Sequence, residues 1–399
     1  MSLLNILDTD QQPPFSLFVL GFRPFFVAAG LFSVLAMAAW ALFFHTPLSL
    51  PVQALPPYQW HAHEMLYGFV LAVVSGFLLT AVRNWTGVQT LQNRGLAALL
   101  GCWLMARLGM LAGPEFLLVA ALFDVAFNLG LLIALAQPVF KVRQWTQVGI
   151  LSKILLLGVC NVLFYLGLAG YLALGVSWGL YGGLYLVIAL VMTIGRRVVP
   201  FFIEKGVQGP ADVRNSRFLD IASLVFFVGF AACDLLIQPL IAGYFAAALV
   251  LVSLWRLYNW HAPGIWSRPL LWGLYVAFIF LVIGFALFAL LPYSGFVTRS
   301  LALHAMSVGG IGLITLSMMS RVSLGHTGRS IHEPLPFTGL AQVLVLAGAF
   351  MRIFPEMLAP EHHVTWMLLA QLLWIAGFGL FSAVYAPLLL RPRIDGRSG

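Results

Sequence analysis

The stretch "WHAHEMLYGFVLAVVSGFLLTAV", residues 60–82, decides how this chain must fold. It opens with His61, His63 and Glu64, and then residues 65–82 carry no charge at all. A run of that length and polarity is what a membrane-spanning helix needs, since a bilayer core takes about 20 mostly apolar residues. The rest of the chain agrees. Hydrophobic residues make up 61% and charged residues 9% of the 399 residues, against about 45–50% and about 25% in soluble domains. Mean hydropathy is +0.98. So few polar groups could not cover the surface of a soluble fold this size. Lipid offers the backbone no hydrogen bonds, so the spans must be helices. The apolar runs are also too continuous for barrel strands, which alternate over about ten residues.

The fold class expected is therefore all-α and integral to the membrane, a bundle of about twelve transmembrane helices. The spans fall at approximately 18–43, 60–82, 93–112, 115–137, 147–170, 176–199, 215–236, 239–259, 269–291, 297–321, 336–354 and 364–390. "HTPLSLPVQALPP", "EKGVQGPADVR" and "NWHAPGIWSRP" are among the breaks, and the third and fourth spans are divided at "LAGPEF". The longest connections are about 15 residues, which leaves no soluble domain. The whole of 1–399 reads as one polytopic domain with an N-terminal tail (1–15) and a C-terminal tail (391–399).

Lys and Arg set the orientation, because cytoplasmic loops keep them. With the N-terminus inside, sixteen of the 21 fall on the cytoplasmic side and Arg107, Arg299 and Arg352 on the other. Arg23 and Lys153 sit within spans. Both termini are thus expected in the cytoplasm. The net charge of +8 is a topology signal, and no basic domain exists to bind nucleic acid. "MSLLNILDTDQQPP" has neither a basic n-region nor a cleavage signature, so the first span is expected to be retained. Cys102, Cys160 and Cys233 read as small buried apolar groups. No C-x-x-C-H occurs, so any haem would be held without a covalent bond.

Intramembrane ionisable groups are costly and usually functional. His61 and His63 begin the second span, and His304 lies two turns into the tenth, at the same outer level. On a regular helix, residues two apart project roughly 200° from each other. His61 and His63 therefore face two different neighbours, and one metal cannot easily take both. Glu64 and Met65 fall on the His61 face at i+3 and i+4, and Tyr67 on the His63 face. His304, in "SLALHAMSVGGIGLITLSMM", needs a metal or a hydrogen-bonding partner. The glycines after it either let helices approach closely or make room for a flat macrocycle. Asp124 and Asn128 form a polar face in the fourth span that Lys153 and Asn161 would extend. His261 and His326 end spans on the cytoplasmic side, where they either ligate a metal or cap helix carbonyls. His45, His362 and His363 read as solvated loop residues. Arg23, beside a locally helix-breaking Pro24, and Arg321 are the arginines placed to pair with carboxylates of a cofactor.

"GFRPFF" (21–26), "WHAHEMLYGF" (60–69), "GFLLTAVRNWTG" (76–87) and "SRVSLGHTGR" (320–329) resemble the signature blocks of the NnrS family, and the likeness covers essentially the whole chain. The resemblance implies a multi-pass protein of the bacterial inner membrane, associated with haem and copper, that acts in the nitric-oxide response and protects against nitrosative stress. Nitric oxide is neutral and soluble in lipid, so a site within the bilayer can receive it. Reducing two molecules of it takes two electrons and two protons. On that reading His61, His63 and His304 hold b-type haem, one or two, or copper, with His261 and His326 as further metal ligands. Arg23 and Arg321 face haem carboxylates. Glu64, Tyr67 and Asp124 serve the chemistry, and a quinol is a candidate electron donor. The alternative is a non-catalytic transporter or metal-handling protein with a histidine-lined passage.

Overall fold

The computed structural model describes residues 16–48, 55–207, 209 and 211–396. Among these, twelve helices are long and apolar enough to cross a membrane. They are α1 (Phe22–His45), α2 (Pro57–Thr86), α3 (Asn93–Ala112), α4 (Pro114–Lys141), α5 (Trp145–Leu168), α6 (Gly175–Gly206), α7 (Arg217–Leu235), α8 (Pro239–Trp260), α9 (Pro269–Tyr293), α10 (Arg299–His326), α11 (Thr338–Leu358) and α12 (Pro360–Leu390). No strand occurs among the described residues.

Several helices run past their expected ends. α6 continues to Gly206 and α10 to His326, beyond the limits at 199 and 321 that apolarity alone suggests. Long basic side chains lay their stems along the bundle while their charged heads reach polar surroundings, so the helix need not stop where the apolar run does. His326 thus belongs to the last turn of α10, and Arg196 and Arg197 to the body of α6. The break at 113–114 is sharp because Gly113 adopts φ +132°, which only glycine tolerates, and Pro114 starts the next helix without needing its N–H. Pro24 does not interrupt α1. It occupies the first turn, where no donor is required.

Neighbours in sequence pack side by side, and the last helix returns to the first, so that α1 contacts both α2 and α12. α2 and α10 are the most enclosed, with 83% and 72% of their most apolar 18-residue windows buried. Each has a π-helical segment, Glu64–Val70 and Ala305–Gly312, and α6 has a third at Trp178–Gly182. Such segments occur mostly at functional sites. Two of them accept a side-chain donor from a neighbouring helix. Trp103 Nε1 donates to Gly68 O at 2.9 Å, and the Tyr67 hydroxyl donates to Gly179 O at 2.6 Å.

The glycines after His304 serve close packing. A Cβ on Gly309 would lie 2.1 Å from the Phe280 ring, and one on Gly312 2.7 Å from Trp374. α9 and α12 fill the space beside them, so of the two readings close helix packing is the one seen at these positions. At the bundle's closure, Arg23 Nη1 donates to Leu389 O at 2.9 Å and Arg391 O at 2.6 Å.

Candidate functional site

Helix α2 separates two groups of polar residues. On one face His63 is wholly buried between α2, α4 and α5. Its ring stacks on Phe164, with centroids 4.3 Å apart. Its Nδ1 is 2.9 Å from Glu64 Oε1, and its Nε2 is 3.0 Å from Asn161 Oδ1. Arg107, from α3, donates to Glu64 Oε1 and to Asp124 Oδ1, each at 2.5 Å. The Tyr165 hydroxyl donates to Asp124 Oδ2 at 2.7 Å. Asn128 Nδ2 donates to the Asp124 backbone carbonyl at 2.8 Å. Charges this deep persist only when paired and hydrogen-bonded, and here the pairing is reciprocal.

This network corrects three expectations. Glu64 belongs with His63 and not with His61, because it is held by Arg107 across the widened turn that begins at Glu64. Lys153 does not extend the polar face. It is two helical turns from Asn161 along α5 and bonds its own helix at Gly149 O, 2.9 Å away. Arg107 and Arg352 are buried inside α3 and α11, 2% and 4% exposed, and are not loop anchors. Both were legible as arginines inside apolar runs, a position lipid allows only to a paired charge.

His61 faces the other way. Its ring stacks on Trp40 of α1 at 4.9 Å with the planes 17° apart. Its Nδ1 is buried and has no hydrogen-bond partner among the described residues. His304 on α10 lies within electrostatic reach of His61. His304 Nδ1 donates to Ser300 O at 2.7 Å. In the neutral ring that bond leaves the lone pair on Nε2, the tautomer a metal requires. Arg352 Nη2 donates to Ser300 Oγ at 3.0 Å and Nη1 to Glu356. His45 and His363 are less solvated than their positions suggest, since His45 Nε2 meets Gln371 Oε1 at 2.9 Å and His363 Nδ1 lies 3.1 Å from Glu356.

At the opposite, arginine-rich end, His326 lines a cavity of about 470 Å³ between α2, α6 and α10. Phe77, Trp85, Phe201 and Phe202 supply apolar walls and Arg197 a cation. Arg23, Arg83 and Arg393 lie within electrostatic reach of the imidazole. Arg321 lies over the Phe202 ring at 4.0 Å, whereas Arg23 fastens α1 to the end of α12. His261 stands apart and exposed, and its Nε2 accepts from Trp266 Nε1 at 3.2 Å.

All but one of the quoted sequence blocks, the exception being residues 60–69, meet at this cavity. Phe22 packs on His326 with ring centroids 5.5 Å apart, and its N–H donates to Thr80 Oγ1 at 3.1 Å. Three of the blocks, more than 50 and nearly 300 residues apart in the chain, thus form one structural unit. The family model described as NnrS protein matches residues 16–393. The chain belongs to the NnrS family. NnrS membership suggests a role in the nitric-oxide response. No curated protein matches the chain significantly.

The haem implied by the NnrS resemblance is compatible with the His326 cavity, which combines an imidazole, flat apolar walls and nearby guanidiniums suited to carboxylates. Copper is served less completely. His61 and His304 offer two nitrogens, but no group of three or more His, Cys, Asp or Glu converges as a metal site among the described residues. His61 and His63 do face two different neighbours, as the helical spacing led one to expect, but His63 has both ring nitrogens engaged by Glu64 and Asn161 on its own face.

Proposed function

We propose that this protein is a haem-carrying protein of the bacterial inner membrane, with both termini in the cytoplasm, that binds nitric oxide and removes it by reduction. The observation that carries the reading is the pair of available imidazole nitrogens, His61 Nδ1 and His304 Nε2, on the two most enclosed helices. His326 would hold a b-type haem, and His61 with His304 a second metal, haem iron or copper. When bound, such metals supply a centre that takes nitric oxide and passes electrons to it. The chain's own residues do the remainder. The ring of Trp40 fixes His61, and Ser300 O fixes the tautomer of His304. Glu64 and Asp124, both paired with Arg107, hold the opposite face of α2 in place. Tyr67 is tied to Gly179 O, which suits it to positioning α2 against α6 more than to giving up a proton. A quinol would serve as electron donor.

The test is metal and haem analysis of purified wild type and of the His326→Ala, His61→Ala and His304→Ala variants, with anaerobic spectroscopy before and after nitric oxide. Loss of haem in His326→Ala, and loss of the second metal in the other two, is the expected result. Unchanged haem and metal content in all three would overturn the assignment, and a metal-free wild type would favour the transporter reading.

A further inference from the structure

A second cavity, of about 260 Å³, opens among α5, α6, α7, α8 and α9 toward the arginine-rich side. Four cations line it, Lys153, Arg196, Arg197 and Arg256, and one carboxylate, Asp220. Both oxygens of that carboxylate are taken. Arg196 Nη1 lies 2.7 Å from Oδ2, and Arg256 Nη1 2.9 Å from Oδ1. The other two cations reach only neutral acceptors. Lys153 Nζ donates to Gly149 O at 2.9 Å, and Arg197 Nη1 to Gln147 Oε1 at 3.0 Å. The lining therefore carries three positive charges more than negative ones. An excess of this kind at the mouth of a membrane bundle sets up a positive field that draws in a partner of opposite charge.

The remaining walls restrict what that partner is. Beneath the cations lie Phe227, Phe278 and Phe285, a floor for hydrocarbon and a poor one for a small hydrated ion. The rim includes Leu224, which is 58% exposed on the outer surface of α7, so the opening reaches the lipid-facing side of the bundle. No histidine or cysteine lines the cavity, which removes the usual ligands of haem iron and copper. A quinol is neutral and would leave the three charges uncompensated. Arg forks and a lysine point charge together suit a phosphate group.

We propose that this cavity binds the phosphodiester head of an anionic membrane lipid, with an acyl chain lying along Phe227, Phe278 and Phe285. The bound lipid wedges α5 and α6 against α7 and α8, so it also stabilises that half of the bundle. The site shares Arg197 with the His326 cavity, but it needs neither haem nor metal to form.

The experiment uses the full chain purified in a neutral detergent and challenged with phosphatidylglycerol, phosphatidylcholine or inorganic phosphate. Native mass spectrometry counts retained lipid, and thermal unfolding reports stabilisation. Wild type should retain phosphatidylglycerol over phosphatidylcholine and unfold at a higher temperature with it. Lys153→Gln, which removes a cation that bonds only its own helix, should weaken retention roughly tenfold, as expected for one charge-assisted hydrogen bond. Lys153→Arg should keep it. Arg214→Gln, an exposed control on the same side paired only with Asp212, should bind as wild type does. Equal retention of phosphatidylcholine, or full retention by Lys153→Gln, overturns the proposal. Equal stabilisation by inorganic phosphate shows a free-anion site and overturns the lipid assignment. Should Lys153→Gln fail to fold, the competition between the two lipids on wild type decides alone.

Discussion

His61 and His63 stand two residues apart on one helix and lead opposite lives. His63 is enclosed, stacked on Phe164, and has both ring nitrogens engaged. His61 rests on Trp40 and leaves a buried nitrogen without a partner. A nitrogen already spent on Glu64 or Asn161 has nothing to offer a metal. The contrast teaches that the number of histidines in a membrane helix says less than the number of their unspent lone pairs. One face of α2 holds the bundle together, and the other is left open for chemistry.

The comparison breaks first at Arg107. Arg107→Met would leave Glu64 and Asp124 charged and buried without their shared guanidinium, a loss of about 3–5 kcal/mol. Denaturant unfolding in detergent measures it, and a cost below about 1 kcal/mol would mean that the His63 side is not structural. Adding Glu64→Gln to that variant should recover part of the loss. Next comes Gly309→Ala, whose new methyl must displace the Phe280 ring, at about 1–3 kcal/mol. Because Gly309 lies on α10 beyond His304, its effect shows how firmly the open side depends on close helix contact. The same unfolding assay reads it.

His63→Gln and His61→Ala sharpen the contrast directly. His63→Gln disturbs two buried hydrogen bonds and should cost about 1–3 kcal/mol while metal content stays unchanged. His61→Ala removes a ring that makes no hydrogen bond, so its stability cost should be the smallest, about 1 kcal/mol from the lost stacking on Trp40. It should nevertheless lose metal. Elemental analysis beside unfolding separates the two effects, and a reversal of the pattern would exchange the roles assigned to the two faces.

The architecture was legible because it rests on composition and run length, which lipid constrains strongly. The twelve spans could be placed from apolar runs and Pro- or Gly-containing breaks. The ends of α6 and α10 could not, since basic residues continue a helix past its apolar part. The opposition of His61 and His63 followed from the 3.6-residue turn. The company kept by Glu64 did not, because a π-helical segment starts there and an arginine from another helix captures the side chain. Arg107 shows the same limit from its own side. An arginine in an apolar run signals a buried partner, but only the packing of α3 on α4 and α2 says which carboxylates it joins. The meeting of three distant blocks around His326 is likewise a property of tertiary packing.

The tie between Arg23 and the carbonyls of Leu389 and Arg391 joins groups up to 368 residues apart. A ribosome working at about 5–20 residues per second needs roughly 20–70 s to make that much chain. For all that time the first helix is in place while its last partner has not been synthesised. The bundle cannot close as it emerges, and assembly must end with a docking step in which the final helix returns to the first. A chain cut short before α12 would keep most of its spans and still lack the seam that seals them.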